Sequence, residues 1–100
     1  MGTRLNLLAL GLYFSGEYAD ATESARQAIQ SHPGFALPYR WVAASLGQTG
    51  PADEARAALE KAIAVAPATF DLYVRNRVPW MRPEDHAHML EGLRKAGWEQ

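Results

Sequence analysis

Three histidines and two adjacent acids are the residues that chemistry would call on first. His86 and His88 flank one alanine, and on a helix a spacing of two turns side chains about 200° apart, onto nearly opposite faces. They cannot grip one metal ion from a single helix. His32 stands far off, in a turn between Ser31 and Pro33, so the three do not form a metal-ligand set. Glu84 and Asp85 offer the carboxylate pair that general acid–base catalysis uses. They also follow a helix-starting proline, where two acids complement the positive end of the helix dipole, and that plainer role accounts for them. The chain contains no G-x-S-x-G elbow, no phosphate-cradling G-x-x-x-x-G-K-[ST] loop and no G-x-G-x-x-G fingerprint. We therefore expect no catalytic residue, no metal site and no cofactor.

The remaining concentration of chemical groups is "VRNRVPWMR", which gathers Arg75, Arg77 and Arg82 around Trp80 with no acid between. Arginines interleaved with an aromatic can stack on single-stranded RNA. The simpler expectation is a linker whose tryptophan plugs the end of the fold while its arginines face water. Whole-chain charge favours the latter, because ten basic and eleven acidic residues leave a formal charge of −1 and a pI near 6.3. Such a balance collects neither nucleic acid nor an anionic membrane. The longest apolar run, "LLALGLYF" from Leu7 to Phe14, falls well short of the ~20 residues of a membrane span. No convincing A-x-A cleavage site follows it, so it does not read as a secretion signal. The lack of cysteine fits a reducing compartment, and the expected setting is cytoplasmic.

A chain of 100 residues with 48% hydrophobic and 21% charged content suits one globular domain. Leu5, Leu8, Ala9 and Leu12 follow the spacing of one helical face, and Gly16 closes that helix. Ala21, Ala25, Ala28 and Ile29 form a second stripe, small enough to let two backbones approach, and Pro33 with Gly34 stops it. Tyr39, Val42, Ala43 and Leu46 then repeat the first stripe, while Ala55, Leu59, Ala62 and Ile63 repeat the second. Gly16 and Gly50, Ala21 and Ala55, Ala28 and Ala62, and Pro33 and Pro67 are each 34 residues apart. A fixed period of this size signals stacked helix hairpins. After them "TFDLYVRNRV" begins a helix that Pro79 cuts short. A last helix follows, started by Pro83 and stopped by Gly97, with Ala87, Met89, Leu90 and Leu93 as its apolar stripe. Helices are expected near residues 4–15, 18–31, 36–48, 52–65, 69–77 and 83–96, with no strand.

These marks resemble the tetratricopeptide repeat, a helix–turn–helix module with a large residue early, a central glycine, two fixed alanines and a closing proline. The related half-a-tetratricopeptide variants give the same pattern. Leu5 and Tyr39 stand where the module favours tryptophan, and Ala9 and Ala43 replace a glycine. The resemblance implies an all-α, short right-handed solenoid. Repeat one would span about 3–34 and repeat two about 37–68, with a degenerate third repeat and a capping helix over about 69–97. The segment "RPEDHAHMLEGLRKAG" also resembles the C-terminal tail of bacterial tetratricopeptide proteins related to class III adenylate or guanylate cyclases. That likeness implies a place in a larger signalling protein.

The same resemblance implies a concave peptide-binding groove, which here would be lined by Asn6, Leu10, Tyr13, Phe14, Leu37, Arg40, Ala44, Gln48 and Arg75. The carboxylate clamp that some members use for chaperone tails would fall on Asn6, Leu10, Trp41, Asp71 and Arg75, so the clamp is absent. The expected function is a protein-interaction or assembly module holding a peptide or helix. The alternative is a purely structural cap on upstream repeats or a cyclase-like domain. Leu7, Leu10, Tyr13 and Phe14 make the first helix apolar on nearly every side, which suits either a homodimer through that helix or a partly exposed groove.

Overall fold

A computed structural model describes residues 2–79 and 81–98 of the chain. Six helices account for most of them: α1 (Gly2–Phe14), α2 (Tyr18–Ser31), α3 (Leu37–Thr49), α4 (Ala52–Val65), α5 (Pro67–Arg75) and α6 (Pro83–Lys95). No strand occurs among the described residues.

The helix ends are made by the residues that local chemistry predicts. Gly16 takes φ +83°, and the amides of Gly16 and Glu17 turn back to the carbonyls of Tyr13 and Leu12 at 3.0 and 2.9 Å. Gly97, at φ +113°, ends α6 in the same way, with Trp98 N–H donating to Leu93 O at 2.9 Å. At these two places a side chain would meet a conformation that costs L-residues about 1 kcal/mol or more. Pro38 and Pro83 sit in first turns, where their missing N–H is no loss, and Glu84 and Asp85 open α6.

Pro67 has a second role: α4 stops two residues before it, as α2 stops two before Pro33, but Pro67 also starts α5, which runs 67–75 rather than 69–77. Proline is well suited to a first turn, and only Ala66 separates the two helices.

Antiparallel neighbours pack in chain order, α1 on α2, α2 on α3 and α3 on α4, and α1 also touches α3. Ala21, Ala25, Ala28, Ala55 and Ala62 lie buried in the seams, where small side chains let the helix axes come together. Three stripe assignments fail. Leu8 is half-exposed, because α1 turns Asn6, Ala9 and Tyr13 inward. Ile63 faces out beside the buried Ala62, and Ala87 is exposed because α6 buries Met89, Gly92, Leu93 and Ala96.

The main contact of α6 is α3, and it reaches α1 and α4 as well. The seven residues from Asn76 to Arg82 let it fold back. The principal extents of 32 × 29 × 27 Å and radius of gyration of 11.8 Å are those of a rounded body, smaller than the ~13 Å usual for this length.

Candidate functional site

On the face that α1 and α3 turn toward α6, Tyr13 is the centre. Its ring is fully buried beside Trp41 (centroids 5.5 Å), Phe14 (5.6 Å) and Tyr18 (5.2 Å). Its hydroxyl donates to the carbonyl of His88 on α6 and accepts from Gln48 Nε2 at 3.2 Å. Burial pushes this phenol up to about 12, since the phenolate would lose its hydration.

Gln48 is the second anchor. Its amide nitrogen donates to Glu91 Oε1 at 2.9 Å and its oxygen accepts from Lys95 Nζ at 2.9 Å. The sequence suggests Glu91 and Lys95 as a surface pair four residues apart; instead both reach across to Gln48. The bond from Gln48, helped by the charge of Lys95, holds the Glu91 carboxyl below its usual range. Tyr18 adds a third hold, with its hydroxyl 2.8 Å from His88 Nε2. Ala44, fully buried, completes the floor against Gly92.

The expected groove residues therefore divide. Tyr13, Phe14, Ala44 and Gln48 gather beneath α6, with the Phe14 ring 6.0 Å from His88. Asn6 is buried and Leu10 half-buried on α1. Leu37 and Arg40 lie toward α5 instead, lining a small cavity with Phe70 and Tyr73. Arg40 is 3% exposed; its Nη1 donates to Tyr73 O at 3.3 Å and its guanidinium covers the Trp41 ring at 4.6 Å. Without a carboxylate among these contacts, burial lowers its pKa to about 10. Arg75 belongs to another place, paired with Asp71 at 2.8 Å in a cleft of about 460 Å³ that Arg56, Leu59, Phe70 and Trp98 also line.

The histidines separate as their spacing predicts: His86 Nε2 lies 2.7 Å from Val74 O while His88 meets Tyr18. Glu84 and Asp85 both reach Arg82, at 3.9 and 3.0 Å. Arg75, Arg77 and Arg82 all face solvent. The expectation for Trp80 falls outside the described residues; its neighbour Met81 is buried and gives its carbonyl to Arg77 at 2.7 Å.

Reasoning from the repeat alone misses Tyr18, Gly47, His88, Glu91, Gly92 and Lys95. A signal existed in Gly47 and Gly92, since a glycine inside an otherwise helical pattern commonly marks close packing. No protein-family model, curated protein or solved structure matches the chain. No described helix is long and apolar enough to cross a membrane.

Proposed function

We propose that the chain is a helix-binding interaction module, built as two tetratricopeptide-like hairpins in a short right-handed solenoid. The 34-residue spacing and the contact of α1 with both α2 and α3 support that architecture. The observation that carries the function is α6 itself. An amphipathic helix lies on the face of α1 and α3, its apolar side down and its polar groups held by Tyr13, Tyr18 and Gln48. Helix-in-groove recognition uses such a face. In this reading a partner helix takes the place of α6, and the protein acts by binding rather than by catalysis.

Buried polar atoms on the same two helices support this reading. Among the described residues, Asn6 Oδ1, Trp41 Nε1 and Ser45 Oγ, on α1 and α3, have no hydrogen-bond partner. Each such atom costs about 1–3 kcal/mol, and rules of stability are commonly broken where function sits. The absence of cysteine supports a cytoplasmic setting, and the likeness of the α6 segment to cyclase-related tails supports work within a larger signalling protein.

The alternative is that α6 is permanent structural cover, which its close approach to α3 favours. Affinity capture separates the readings. A partner held by the Gly92→Leu chain, whose α6 cannot seat, and lost with Gly47→Leu, whose face is obstructed, is the expected result once circular dichroism shows both folded. No protein following that pattern would leave α6 as cover.

A further inference from the structure

The face on α1 and α3 is selective about the helix it holds. A Cβ on Gly47 would overlap the carbonyl oxygen of Gly92 and stand 3.0 Å from the amide nitrogen of Ala96. In the opposite sense, a Cβ on Gly92 would run into the Tyr13 hydroxyl and stand 2.6 Å from the carbonyl oxygen of Ala44. Most of these obstacles are main chain, which cannot rotate aside, so any β-carbon at the crossing must push the two helices apart. Close packing makes that displacement felt along the whole contact.

The rest of the contact has a register set by that crossing. Met89, three residues before Gly92, and Leu93, one after, are fully buried, and Ala96 is 2% exposed. Glu91, one before, and Lys95, three after, share the two ends of the Gln48 amide. His88, one turn before, presents its carbonyl to Tyr13 and its ring to Tyr18.

We propose that this face recognises a partner helix with glycine at the crossing, a glutamate immediately before it and a lysine three residues after, and that α6 is the resident example of the pattern. The proposal rests on the reading of this face as a helix-binding surface, and it names the partner's chemistry. The glycine is the dominant requirement, because its replacement meets main chain. The two charges contribute less, because Glu91 and Lys95 are exposed and screened by water.

The test uses a fluorescein-labelled synthetic peptide of residues 82–98 and the full chain carrying Gly92→Leu, in which α1 and α3 are unaltered. The expected result is saturable binding at least tenfold tighter than to the Gly47→Leu chain. It should also be at least tenfold tighter than binding of the Gly92→Leu peptide to the same Gly92→Leu chain. A peptide with Glu91→Lys and Lys95→Glu should fall between. If circular dichroism shows that Gly92→Leu unfolds the chain, the unsubstituted protein takes its place. Excess unlabelled peptide should then speed amide exchange of the resident α6 at least tenfold, and the Gly92→Leu peptide should not. Equal action of the two peptides, or no action of either, overturns the rule. Partner capture on α1 and α3 that persists in that case preserves the helix-binding function. Peptide selectivity without any captured partner leaves the rule standing and removes the function.

Discussion

Tyr13 and Arg40 are both buried titratable groups, and they respond to alkali in opposite senses. The Tyr13 phenol ionises at about 12 in the fold against 10.0 ordinarily, so between those values the folded chain keeps a proton that the unfolded chain has lost. Its contribution is complete below pH 10 and is lost as the pH rises to 12. The Arg40 guanidinium sits at about 10, well below its ordinary value, so above that pH the unfolded chain holds the extra proton and this group's contribution rises with pH. Tyr13→Phe keeps the ring, deletes the first effect and leaves the second. Denaturant unfolding at a series of pH values should therefore show a smaller alkaline loss in Tyr13→Phe than in the parent. At neutral pH the variant should cost on the order of 1 kcal/mol for the bonds to His88 and Gln48. Identical alkaline slopes would mean that the phenol is not sequestered by α6.

At the scale of elements, the alanine seams set how close the hairpin helices come. Ala28 and Ala62 are 0% and 3% exposed, so a larger side chain has nowhere to go. Ala28→Leu and Ala62→Leu should each cost about 1–3 kcal/mol in thermal unfolding by overpacking. An unchanged melt for either would mean that its seam is looser than described. These seams were legible in the sequence, as were the helix stops at Gly16 and Gly97 and the starts at Pro38 and Pro83, because each is a local signal. The phase of α1 was not. A helix apolar on nearly every side has no polar face to show its orientation, so Leu5, Leu8, Ala9 and Leu12 read inward, whereas the fold buries Ala9 with Asn6 and Tyr13 and leaves Leu8 half-exposed. The docking of α6 was equally hidden. It depends on Gly47 meeting Gly92, and no periodicity within either helix reports a contact between elements so far apart in sequence.

For the molecule as a whole, the return of α6 alters the case for self-association. Tyr13 and Phe14, which a bare first helix would offer to a second copy, are already covered or half-covered. Among the described residues, the large apolar side chains left exposed on α1 are Leu7 and Leu8, at 56% and 50%. Two half-exposed leucines fall well below the ~300–600 Å² patches of ordinary monomers and the ~800 Å² per partner of a stable interface. Light scattering at tens of micromolar should give the mass of one chain. A dimer there that dissociates in Leu7→Glu, with helicity kept, would restore the two-fold contact through α1. The meeting of Gly47 and Gly92 also bears on how this sequence can drift. Each glycine is confined by the other helix's main chain, so enlarging one cannot be compensated by shrinking a neighbour, and no paired exchange repairs the fit. Descendants of this chain would accordingly fall into two kinds, those that keep both glycines with the closed form and those that lose one and live with α6 displaced, with no graded series between them.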